Sequence, residues 1–342
     1  MSRSIGTITL DAPGRLVFGE SEAPGPPGPN EAIVRVHRVG ICGTDIHAFR
    51  GRQPFFSYPR ILGHELGVEI VEIGPNDRDL RPSDRCAVEP YLNCGACIAC
   101  RHGKPNCCER LQVLGVHSDG GMRTLIRVPA AKLHRSEILT LDQLALVETL
   151  GIGAHAVQRS GLSRGENALI IGAGPIGLSV TQFALVAGAR VLVMDVNPRR
   201  LDFCREHTGV DATILADDSA LDQVKDLTDG DLPLVVLDAT GSGESMAAAF
   251  RFAAYGGRLT LVGLFQGDVI FHDPDFHRRE LTLLATRNST PADFTRIIGL
   301  IEAGSIDTSP WITHHAACAN FPEVFPSWLE PSAGLIKGIV EF

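Results

Sequence analysis

Four cysteines at close intervals carry the first chemical signal in this 342-residue chain. Cys94-Gly95-Ala96-Cys97-Ile98-Ala99-Cys100 is followed, after seven residues, by Cys108. Thiolates so spaced can close a tetrahedral site, and four of them leave no position open for a substrate, which suits a structural zinc. Upstream, Cys42 and the pair His64-Glu65 offer sulfur, nitrogen and oxygen donors. That mixed set suits a catalytic zinc, which keeps one position open. A third motif, Gly172-Ala173-Gly174-Pro175-Ile176-Gly177, fits G-x-G-x-x-G. Its glycines permit a tight turn and bring a pyrophosphate to a helix N-terminus, whose free amides and dipole favour anions. Asp195 stands 18 residues past Gly177. A carboxylate there accepts hydrogen bonds from the adenosine ribose and repels a 2′-phosphate, so the reading is NAD rather than NADP. Arg199 and Arg200 are the candidate cations for such a phosphate; they read better as solvated helix residues or as flanks of the adenine. One closed metal site, one open one and a nucleotide turn point to an enzyme.

The elements that must position these residues fall into two styles. A chain of 342 residues exceeds the usual size of one core, so two domains are expected. In the first 150 residues, Ala32–Val36, Gly67–Ile73 and Leu125–Val128 alternate or cluster as strands do. Pro24, Pro26, Pro27 and Pro29 read as a loop between strands. From Asn167 the rhythm becomes strand, tight turn, helix: strand Ala168–Ile171, helix Gly177–Val186, strand Arg190–Met194, then Asn197-Pro198 as cap and first residue of a further helix. Strands at Leu234–Leu237, Leu259–Val262 and Leu281–Leu284 continue it, which implies an α/β fold with a doubly wound parallel sheet. The chain closes on a strand at Ile336–Val340.

Composition narrows the classes. A net charge of −9 argues against a nucleic-acid or membrane-surface partner. No apolar run reaches the about 20 residues of a membrane span, and the N-terminus lacks an apolar signal core, so a cytoplasmic protein is expected. Nine cysteines, an odd count with a tight cluster, favour metal binding in a reducing compartment over disulfides.

Gly40-Ile41-Cys42-Gly43-Thr44-Asp45-Ile46-His47, then Gly63-His64-Glu65, the four-cysteine loop and Gly172–Gly177 come in one order. Over essentially its whole length the chain resembles the zinc-dependent medium-chain alcohol and polyol dehydrogenases. The resemblance implies a mainly β, GroES-like catalytic domain over 1–151 and 289–342, and a Rossmann NAD-binding domain over 152–288. It implies two zinc ions per chain. Cys42 and His64 would bind the catalytic one, with Glu65 ligating it directly or through water and Glu148, in Val147–His155, at the last ligand position. Glutamate there, where alcohol dehydrogenases usually carry Cys, looks like the sorbitol, threonine and sugar-acid branch. The family spacing selects Cys108, not Cys107, as fourth ligand of the structural zinc. Thr44 would receive the alcohol proton and pass it, through the cofactor ribose, to His47 near solvent; the local alternative for Thr44 is an N-cap before Asp45.

The expected function is therefore transfer of hydride from a secondary alcohol of a polyol, sugar or sugar acid to NAD. Thr44, His47 and Glu65 are the catalytic residues; Gly172, Gly174, Pro175, Ile176, Gly177, Asp195 and Arg200 are the cofactor contacts. Arg287, after the last strand of the nucleotide domain, is a substrate contact able to pair with a carboxylate or a row of hydroxyls. The alternative for Arg287 is a domain-interface arginine. A threonine-type or simple secondary alcohol dehydrogenase is the alternative enzyme, and a nucleotide-sensing zinc protein the alternative outside enzymes. Partners are a small-molecule substrate and further copies in a homodimer or homotetramer.

Overall fold

A computed structural model describes residues 4–53 and 56–342. The chain divides into two compact units, Met1–Glu148 with Thr290–Phe342, and Thr149–Ser289. The first break falls inside the helix Leu141–Ser160, where no turn residue marks it.

The first unit is built on a seven-stranded sheet. Its path runs Ile312–Ala317, Lys337–Glu341, Glu31–Gly40, Glu65–Ile73, Arg85–Val88 and Leu133–Arg135, and Leu125–Pro129 also pairs with Glu31–Gly40. Alternation in Glu31–Gly40 buries Val34 and Val36 and exposes Arg35. A register shift between Val36 and Arg38 then restores Val39 to the core. Leu66, Val68 and Ile70 meet that face, and Phe321, Phe325 and Trp328 pack the same core. A two-stranded ladder, Tyr91–Leu92 against Gln112–Val113, brackets the cysteine loop. The hairpin Ser4–Ala12 with Arg15–Glu22 was not anticipated.

The second unit is a six-stranded sheet in the order Ala212–Leu215, Arg190–Asp195, Asn167–Ile171, Val235–Asp238, Arg258–Leu261, Thr282–Ala285. Every pair in it is parallel. The order reverses beside Asn167–Ile171, the switch point where doubly wound folds place ligands. The helix expected from Gly177 begins at Pro175, with Gly174 as its N-cap, since proline is preorganised for the first helical position. Asn197 caps Pro198–His207 as expected, accepting from the Arg199 amide. Among the described residues, no helix is long and apolar enough to cross a membrane.

Candidate active site

The strand Glu31–Gly40 ends where Glu65–Ile73 begins, and Gly40 pairs with Glu65. That register brings Cys42, just past the first strand, to His64-Glu65 at the start of the second. One donor atom from each of Cys42, His64 and Glu65 lies within 4.8 Å of the other two. Gly40 is needed here, because a Cβ would sit 2.2 Å from Glu65 Oε2. Cys42, not Thr44, is the N-cap of the helix Gly43–Phe49; its amide donates to Asp45 Oδ2 at 2.9 Å. The capping alternative for Thr44 is thereby corrected, since the helix starts two residues earlier.

The cluster is largely buried, with Cys42 half-buried, and acid-rich. His64 and Glu65 are 5% and 0% exposed. His64 Nδ1 lies 3.8 Å from Asp45 Oδ1, and among the described residues neither atom has a hydrogen-bond partner, nor has Glu65 Oε2. Glu65 Oε1 pairs with Lys337 Nζ at 2.5 Å, and the same ammonium donates to the Ile41 carbonyl at 3.2 Å. Burial pulls Lys337 down, yet Glu65 and Cys42 outweigh it and hold the ammonium charged. Burial raises the carboxyls of Asp45 and Glu148. A thiol, an imidazole and a carboxylate within 4.8 Å of one another, with one carboxylate oxygen unpartnered among the described residues, fit zinc. Asp45 lies on the Nδ1 side of His64, where a ligating histidine commonly meets a carboxylate. Glu148, in the helix Leu141–Ser160, is not one of the three clustered ligands. It is buried rather than on a helix surface, and its Oε1 accepts from the Tyr91 hydroxyl.

The four-cysteine set closes as its spacing suggests. Donor atoms of Cys94, Cys97, Cys100 and Cys108 all lie within 4.8 Å of one another. Cys97 Sγ is 3.5 Å from Cys100 Sγ and 3.8 Å from Cys108 Sγ. Sulfurs on a tetrahedron of 2.3 Å zinc bonds stand about 3.8 Å apart, so the set fits zinc. Amides of Ala96 and Cys97 and the Arg110 guanidinium hold the Cys94 thiol down to about 5, favouring the thiolate. Cys107 is exposed and outside the group.

In the second unit a cleft of about 700 Å³ is lined by Gly172, Gly174, Pro175, Ile176, Asp195 and Arg200. Gly177 lies beneath, where a Cβ would be 1.7 Å from the Gly172 carbonyl, so only glycine lets the helix pack on the turn. Asp195 is 6% exposed. Its Oδ2 accepts from the Ala173 amide at 2.6 Å and its Oδ1 from the Asn197 amide at 2.7 Å. It thus also shapes the glycine turn. Arg200 Nη1 stands 4.0 Å from Asp195. Asp217, Asp218 and Glu244 line the cleft too, with no motif to announce them. The cavity suits a dinucleotide's adenosine end.

Thr44 is half-buried and His47 exposed, one turn apart on the helix Gly43–Phe49. Arg287 is exposed past the carboxyl end of Thr282–Ala285, in the second unit. Sequence reasoning missed Lys337 and Tyr91. For Lys337 a signal existed: one charge inside the apolar strand Ile336-Lys337-Gly338-Ile339-Val340.

Two family models match the chain: "Alcohol dehydrogenase GroES-like domain" over residues 28–138 and "Zinc-binding dehydrogenase" over 175–303. The L-galactonate-5-dehydrogenase of Escherichia coli K12 is 40% identical over 99% of each chain. A solved alcohol dehydrogenase (rspB) from E. coli CFT073, complexed with NADH, superposes with TM-score 0.92 at 28% identity, covering 100% of both chains. A zinc-binding dehydrogenase from Sinorhizobium meliloti 1021, bound to NADP, gives 0.90 at 29% identity, over 99% of this chain and 100% of that one.

Proposed function

From the premise that this chain belongs to the zinc-dependent medium-chain dehydrogenases, in their polyol and sugar-acid branch, we propose that it oxidises a secondary hydroxyl of a sugar acid or polyol with NAD. The observation that carries the reading is the trio of half-buried Cys42 with buried His64 and Glu65, in which Glu65 Oε2 lacks a hydrogen-bond partner among the described residues. The alternative of a nucleotide sensor without activity is set aside by the family's chemistry. A sugar-acid substrate is supported by the likeness to L-galactonate-5-dehydrogenase.

Cys42, His64 and Glu65 would hold the catalytic zinc, and Glu148 would complete its surroundings directly or through water. Cys94, Cys97, Cys100 and Cys108 would hold a second, structural zinc. When bound, zinc supplies Lewis acidity that lowers an alcohol's pKa toward neutrality, and the nicotinamide accepts hydride. The residues supply the rest. Asp45, 3.8 Å from His64 Nδ1, would orient the His64 ring by its charge, and Lys337 takes one oxygen of Glu65, leaving the other for the metal. The Thr44 hydroxyl both accepts and donates, which suits it to take the substrate proton. His47, exposed to water, suits its release at neutral pH. A cytoplasmic setting accords with nine cysteines, none of them in a disulfide among the described residues. Assembly into a homodimer or homotetramer is part of the proposal: Thr282–Ala285 ends its sheet with one side unpaired and Leu283 38% exposed.

A screen of aldonates, neutral polyols, threonine and simple secondary alcohols, read as NADH absorbance, tests the function. We expect an aldonate to give the highest kcat/KM; a preference for threonine or a monofunctional alcohol would replace the reading. In the same screen Arg287→Ala should cost an acid substrate ~2–4 kcal/mol in kcat/KM, and a neutral polyol far less. Equal losses would make Arg287 a cofactor or general hydroxyl contact.

NAD should be preferred over NADP by about 100-fold in kcat/KM, since a 2′-phosphate beside carboxylates costs on the order of several kcal/mol. Asp195 is joined in that cleft by Asp217, Asp218 and Glu244, against Arg200 and Arg251. Initial rates with both cofactors decide it; parity would mean that Arg200 governs the pocket.

A further inference from the structure

Tyr91 lies three residues before the first loop cysteine and is 3% exposed. Its hydroxyl donates to Glu148 Oε1, while its backbone pairs with Val113, five residues past the last loop cysteine. The ladder has two residues on each side, and the Leu114 amide donates one further hydrogen bond to the Pro90 carbonyl at 3.1 Å. So short a ladder is marginal by itself. It closes a loop whose ends gain from any cross-link within, and a tetrathiolate is such a cross-link.

A second tie runs from the other end of the same strand. Asn93, two residues on from Tyr91, turns its amide nitrogen toward Cys100 Sγ at 3.8 Å. Its oxygen accepts from Lys132 Nζ at 3.1 Å, and that buried ammonium is itself paired with Glu89. Because an amide has one donor end and one acceptor end, Lys132 fixes which end meets the sulfur. A continuous line of bonds therefore leads from Cys100 through Asn93 and the Tyr91 strand to Glu148. Glu148 in turn feels the charges of His64 and Glu65.

We propose that Tyr91 is a positioning residue that fastens Glu148 to the four-cysteine loop, so that metal in the loop holds in place a carboxylate beside the catalytic cluster. The inference rests on the proposed zinc-dehydrogenase site and gives the closed metal centre a task beyond local folding. Glu148 has no backbone reason to face His64: it sits mid-helix, and rotation of its side chain is limited by the phenol that bonds it. When the loop loosens, the phenol withdraws and the carboxylate is free to turn.

The test is a cycle of Tyr91→Phe, Cys97→Ser and the double variant, in the full chain. Zinc release to a chromophoric chelator is followed without substrate, with Cys42→Ser marking the loop's own zinc. Tyr91→Phe should speed loss of the catalytic zinc and lower kcat about tenfold, the usual scale for a residue behind a metal site, with KM for NAD and the loop zinc unchanged. The double variant should match Cys97→Ser alone, because the loosened loop has already withdrawn the phenol. Multiplied effects, or a Tyr91→Phe protein that releases zinc at the parent rate, overturn the coupling. Should Cys97→Ser not fold, Asn93→Leu keeps all four thiols and should still speed catalytic-zinc release several-fold; an unchanged rate there also overturns it. Zinc release needs no substrate, so the coupling can fail while hydride transfer stands. Intact coupling with no dehydrogenase activity would fail the function instead.

Discussion

Replacing Cys42 with serine should reduce turnover by about 10³-fold or more and leave one zinc per chain instead of two. The Lewis acid supplies several kcal/mol of charge stabilisation, and each 1.4 kcal/mol is about tenfold in rate. The fold should survive, because serine is a favoured N-cap and can take over Cys42's place at the helix Gly43–Phe49. Cys97→Ser should behave in the opposite way, losing the other zinc and much of the loop's stability, since a structural metal contributes folding free energy directly. Metal analysis and melting curves on both variants separate the two centres. Parent-level turnover from Cys42→Ser, or two zincs retained in it, would remove the catalytic assignment.

Lys337→Met should destabilise the metal-free protein by roughly 3–5 kcal/mol, the cost of leaving one partner of a buried ion pair unpaired. Lys337 is 1% exposed and Glu65 0%, so water cannot take over the charge. Methionine fills similar volume, which confines the loss to electrostatics. In the proposed site zinc would take Glu65 Oε2, which has no hydrogen-bond partner among the described residues, and leave Oε1 to the Lys337 ammonium. Saturating zinc should therefore restore part of the lost stability, and the variant should show a larger zinc-dependent rise in melting temperature than the parent. If zinc stabilises both proteins equally, the two cations do not share Glu65. Turnover should fall as well, because Glu65 no longer has one oxygen held away from the site.

Much of the site was readable from local spacing. The cysteine loop needs only turns within one segment to close, so Cys94, Cys97, Cys100 and Cys108 could be grouped before any fold was known. The glycine turn is equally local: Gly172, Gly174 and Gly177 meet within one strand–helix junction, and Asn197-Pro198 announces its own cap. Grouping Cys42 with His64 and Glu65 rests on their donor types and on the resemblance of motifs. The physical cause is the Gly40–Glu65 register, a pairing between strands that no single segment displays.

Other features had no local trace. Lys337 reaches Glu65 across 272 residues. The two-stranded ladder beside the cysteines is too short for a hydrophobic pattern, so the role of Tyr91 was invisible. Thr44 reads locally as a cap, but Cys42 is the N-cap of Gly43–Phe49. Asp195 was read as a ribose contact; the fold also gives each of its oxygens a backbone amide. The chain by itself determined the donor sets, the nucleotide turn and the alternation of strand and helix, because ligand spacing, turn geometry and hydrophobic period act over a few residues. Only the tertiary structure decided which buried charges neutralise one another and which carboxylate the phenol holds, because burial joins residues that share a core, and sequence distance does not enter that energy.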